Sequence, residues 1–74
     1  MIVITFDTTT DAMMMEDFAK ANNFAGRLIP IPNEISAGCG LAFEAEITDI
    51  NQTKKILEEN MVAFDKIYDL GEVK

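Results

Sequence analysis

The chain has 74 residues, 49% of them hydrophobic and 26% charged, the composition of one small globular domain rather than of a disordered, linker or fibrous sequence. Thirteen acidic residues against six basic ones give a net charge of −7, which repels phosphate backbones and anionic lipid, so neither nucleic acid nor membrane is an expected partner. Histidine is absent and cysteine occurs once, which excludes Ser-His-Asp and Cys-His pairs, His-ligated zinc, an intrachain disulfide and CxxC chemistry. No metal and no cofactor is expected.

Residues 2–6 (Ile-Val-Ile-Thr-Phe) are β-branched and aromatic and predict a buried strand. No basic segment precedes them, and no apolar run in the chain is long enough to span a bilayer, so the expected location is the cytoplasm. Thr8, Thr9, Thr10 and Asp11 offer caps, and Thr8 with Asp11 resembles a capping box. Ala12, Met15, Phe18 and Ala19 then recur at helical spacing, up to Asn22 and Asn23. Gly26 opens an extended run, 27–32. There Pro30 and Pro32 remove two backbone donors and predict an edge strand.

Residues 33–40 are irregular. After them Leu41, Phe43, Ala45 and Ile47 alternate with Ala42, Glu44 and Glu46, as in a half-buried strand. Thr48 and Asp49 predict the start of a second helix, as cap and first-turn acid, with Ile50, Thr53, Leu57 and Met61 on its buried face. Phe64, Ile67 and Leu70, with Val62 and Tyr68 nearby, predict a last strand of imperfect alternation.

The order β-α-β-β-α-β over residues 1–74 predicts a single α+β domain of the ferredoxin-like kind: a four-stranded antiparallel sheet with two helices on one face. Strands one and three are expected in the centre and strand two at an edge. The face without helices is then a candidate surface for a homodimer or another partner.

Cys39 is the strongest candidate for chemistry. A lone cysteine normally packs as a small hydrophobe. Cys39 instead lies between Gly38 and Gly40, after Ser36, in a stretch of turn composition. If strand three runs antiparallel to strand one, Cys39 comes near the start of the first helix. The free N–H groups there, around Thr9, favour a thiolate, while Asp7 and Asp11 oppose it. Ser36 is a candidate hydrogen-bond donor to that thiolate, although a loop hydroxyl more often satisfies nearby backbone.

Arg27, the only arginine, is expected on the surface, away from Cys39. Met13, Met14 and Met15 are successive helical residues about 100° apart and cannot converge on one soft metal ion. Met15 is assigned to the core, Met13 and Met14 to the surface. Glu16 is expected at the rim. Glu44 and Glu46 are expected on the helix-free face, where no cleft for a sugar is anticipated.

The stretch 28–40 carries a resemblance. Pro30 and Pro32, Ile35 and Ser36, then Cys39 and Gly40, together with Thr9, Asp11 and Ala12 where the first helix begins, resemble the pattern of the selenium/sulfur carrier protein-like family of small prokaryotic domains. The resemblance spans about residues 2–70. It implies a thiol role for Cys39, as acceptor of sulfur or selenium in a persulfide or selenosulfide, with donor and acceptor proteins as partners.

Three readings follow. The first is a thiol carrier acting through Cys39, with Ser36, Gly38, Gly40 and Thr9 around it. It would be at most a carrier or a sulfurtransferase-type accessory. The second is a protein-binding or regulatory module that uses the helix-free face or edge strand two, with Cys39 incidental. An acid-base or metal enzyme is the weakest, for want of histidine and of clustered acids.

Overall fold

The computed structural model describes residues 2–33, 35 and 40–70. The elements are β1 (Ile2–Thr5), α1 (Thr9–Ala21), β2 (Gly26–Pro30), β3 (Leu41–Ala45), α2 (Ile50–Glu59) and β4 (Ile67–Asp69). They form one antiparallel sheet in the order β2-β3-β1-β4 with two helices, the expected ferredoxin-like α+β arrangement. β1 and β3 are central, and β2 is an edge strand.

Every residue of β1 is buried, because both faces of this central strand are covered. Ile2, Ile4 and Phe6 point to the helices and join Met15, Ala19, Phe43, Ala45 and Leu57 in the main core. Burying side chains such as Met15 and Leu57 contributes about 1.5–3 kcal/mol each. Phe18, Phe24 and Phe43 continue this core as a tilted chain of rings, with centroids 6.3 and 6.0 Å apart.

The two prolines do more than mark β2 as an edge. Ile31 N–H donates to the Gly40 carbonyl and Glu46 N–H to the Ala25 carbonyl. Residues 25, 27, 29 and 31 therefore turn their backbone groups toward β3, and 26, 28, 30 and 32 turn outward. Pro30 and Pro32 thus cost the ladder nothing, and they blunt the outer edge against another strand.

Helix ends follow the sequence signals in part. Thr8 is the N-cap of α1, its hydroxyl accepting from Asp11 N–H at 3.1 Å. For α2 the cap is Asp49, which accepts from Gln52 N–H at 3.1 Å. Thr48 is not the cap, and Asp49 is not a first-turn acid.

Both helices end in Schellman motifs. Phe24 N–H reaches Ala19 O, and Val62 N–H reaches Leu57 O. The residues at the turn, Asn23 and Met61, have φ of 55° and 57°. Asn tolerates this left-handed conformation, and Met does not. Met61 was expected on the buried face of α2. It lies instead beyond the helix and is 90% exposed. Met61→Gly removes the strain without removing a contact, less the extra freedom it gives the unfolded chain. A net stabilisation of about 0.5–1 kcal/mol is expected in urea titration. A loss of stability would show that the thioether makes a contact that matters.

Alternation breaks just before the last strand, between Phe64 and Ile67, because two residues oppose Thr5. Thr5 N–H donates to Lys66 O at 2.8 Å, and Asp65 N–H donates to Thr5 O at 2.7 Å. Lys66 N–H turns to the Thr5 hydroxyl at 3.2 Å. This bulge-like pairing shifts the phase. Ile67 faces the helices, and Tyr68 and Leu70 face the other side.

That other side carries no helix, but its centre is not bare. Val3 and Ala42 are fully buried there, and Ile35 is 7% exposed against them. Ile29, Ile31, Tyr68 and Leu70 complete this small second core. The chain thus covers with its own residue the middle of the surface that the sequence leaves open for a partner.

Candidate functional site

The register brings the end of β1 to the start of β3. Thr5 pairs with Ala42, so Leu41 is level with Phe6, and α1 begins at Thr9 three residues further on. Gly40 and Thr9 therefore lie at the same end of the sheet. Both are exposed.

Gly40 has φ +77°, and its carbonyl accepts from Ile31 N–H at 3.0 Å. Among the described residues no atom lies within 4 Å of where a Cβ would stand, so the positive φ is what calls for glycine there. Thr9 is the first residue of α1. Thr8 satisfies Asp11 N–H through its hydroxyl and Ala12 N–H through its carbonyl. The N–H groups of Thr9 and Thr10 belong to the donors that a helix leaves without an intrahelical partner. Asp7 and Asp11 stand at the same end and bring negative charge to it.

Cys39, Ser36 and Gly38 lie outside the described residues. Along the chain, Cys39 immediately precedes Gly40. Of the sequence-derived set, the structure brings Thr9 and Gly40 to one end.

Arg27 is not part of that group. Its side chain is 76% exposed, and Nε lies 3.5 Å from the Glu44 carboxylate, directly across the β2–β3 ladder. That pairing was not anticipated, although charges of opposite sign in register are its signal. Met13 and Met14 are 57% and 60% exposed while Met15 is fully buried, as the helical spacing predicts. Glu16 is half-buried at the rim of α1. A cleft of about 480 Å³, walled by Phe24 and Phe43 and edged by Glu16, Lys20 and Arg27, opens at the Gly26 end of β2, the opposite end from Gly40.

Sequence reasoning passed over Ile35 as an anchor. Its signal was present: one large aliphatic residue inside a stretch of turn composition. Among the described residues, no helix is long and apolar enough to cross a membrane.

The arrangement defines a small ferredoxin-like domain whose distinctive segment joins the edge strand β2 to the central strand β3. A family model described as "Putative Se/S carrier protein-like" matches residues 1–69, and the chain belongs to that family. Comparison with curated proteins and with solved structures gave no match.

Proposed function

We propose that this protein is a cytoplasmic sulfur or selenium carrier in which the thiol of Cys39 is the acceptor. Membership of the Se/S carrier-like family is the observation that carries the reading. The common end of Gly40 and Thr9 supports it, since Cys39 precedes Gly40 in the chain and the positive end of α1 starts at Thr9.

The chemistry needs no histidine. The Cys39 thiolate attacks the outer sulfur of a donor persulfide. A new S–S bond forms on Cys39, the donor's S–S bond breaks, and the donor thiolate leaves. An acceptor nucleophile then attacks the outer sulfur, and Cys39 leaves as thiolate. No net oxidation occurs in either step. The same exchange with selenium gives a selenosulfide. With one cysteine in the chain, no internal disulfide competes, so the cargo passes to another protein. Gly38 and Gly40 give donor and acceptor close access to the backbone, and Ser36 and Thr9 supply hydrogen bonds to the anion.

The test is the rate of Cys39 alkylation against pH, read by intact mass. The expected midpoint is well below the ordinary thiol value of about 8.5. Incubation with glutathione persulfide should then add the mass of one sulfur atom to the wild type and none to Cys39→Ser. An ordinary or raised midpoint with slow alkylation would remove the carrier reading.

A further inference from the structure

The acidic chain keeps a locally basic cleft beside its last strand. The cleft, of about 390 Å³, lies between the first turns of α2 and the segment leading into β4. Its apolar wall is Ile50, Phe64 and Ile67, all packed against the main core and therefore held in place. Lys54 and Lys66 line it, with Asp65 as the single carboxylate among the described residues. Among the described residues two bases thus meet one acid there, the reverse of the chain's balance of six bases against thirteen acids.

Neither lysine forms an ion pair among the described residues, whereas Arg27, at the larger cleft, is paired with Glu44. The Lys66 backbone, just before β4, is fixed by its bonds to Thr5, which sets where its side chain leaves the chain. Lys54 stands on the well-formed second turn of α2. Such an arrangement combines apolar area with uncompensated positive charge, which suits a ligand that has both an apolar body and an anionic head.

We propose that this cleft binds a small amphipathic carboxylate, its hydrocarbon part against Ile50, Phe64 and Ile67 and its carboxylate between Lys54 and Lys66. A ligand with a ring and a short acid chain fits within this volume. The site is independent of Cys39 and of the carrier reading.

The test uses the intact wild-type chain, ¹⁵N-labelled, titrated with 3-phenylpropionate, its neutral amide 3-phenylpropionamide, and acetate. The acid should shift the amide signals of Lys54, Lys66 and Ile67 and saturate in the millimolar range. The amide and acetate should each bind about tenfold more weakly or worse. Lys66→Gln and Lys54→Gln, exposed changes that leave the core intact, should each weaken the acid severalfold and leave the amide unchanged, while Lys54→Arg should retain binding. Equal binding of acid and amide, equal binding of acetate, indifference to both glutamine variants, or shifts confined to other residues would each overturn the proposal.

Discussion

Gly26→Ala is expected to destabilise the fold by about 3–4 kcal/mol. Two effects add. Gly26 has φ +153°, a region open essentially to glycine alone. A Cβ there would also run into the Glu44 carbonyl and the Phe43 ring. The carbonyl belongs to the central strand β3, and Phe43 is buried in the main core and packed at a tilt against Phe24, so neither can retreat cheaply. A chain of 74 residues has about 4–11 kcal/mol of stability in all, so the variant should be largely unfolded in mild denaturant. Gly40→Ala is the internal control. It shares the positive φ but meets no neighbour among the described residues, and should cost only about 1–2 kcal/mol. Urea titration of both variants decides the matter. A Gly26 variant no weaker than the Gly40 variant would show that β2 and Phe43 can move apart at little cost.

Ile35→Ala carries the second large effect. Ile35 is almost wholly buried against Val3 and Ala42, with Ile29, Ile31, Tyr68 and Leu70 around it. Its N–H closes a turn on Pro32 O at 3.0 Å. Truncation removes the centre of this second core, and a loss of about 2–4 kcal/mol is expected, against about 0.5–1.5 for Ile35→Val. The site readout is separate from stability. Cys39 is four residues along the chain from Ile35, so releasing the anchor should bring its alkylation midpoint toward the ordinary thiol value, measured where the variant is still folded. Loss of stability with an unchanged midpoint would mean that Ile35 holds the sheet face only. A cost below that of Ile35→Val would show that the helix-free face is stable without its cover.

The larger part of the fold was readable from local signals. Hydroxyl and carboxylate caps act within a turn, prolines act on their own backbone, and alternation acts within a strand. Accordingly the element order, the Thr8 cap, the edge position of β2, the burial of Met15 and the exposure of Met13 and Met14 agree with the structure. The common end of Gly40 and Thr9 was readable once β3 was taken as antiparallel to β1. Cys39, Ser36 and Gly38, which carry the rest of the candidate site, fall outside the described residues.

The features that escaped depend on partners far away in the chain. Thr5 and Lys66 are 61 residues apart, and only their pairing reveals the bulge that lets Phe64 and Ile67, three residues apart, both reach the main core. Met61 has helical spacing from Leu57, but the helix stops first, because Val62 N–H bonds back to Leu57 O. Gly26 looks like any strand-opening glycine until Phe43 is brought against it. Ile35 resembles a loop residue until Val3 and Ala42 lie beneath it. The sequence by itself thus determined which segments become strands and helices, through interactions a few residues long. The tertiary structure decided which side chains those segments bury, because burial depends on what the sheet brings opposite them.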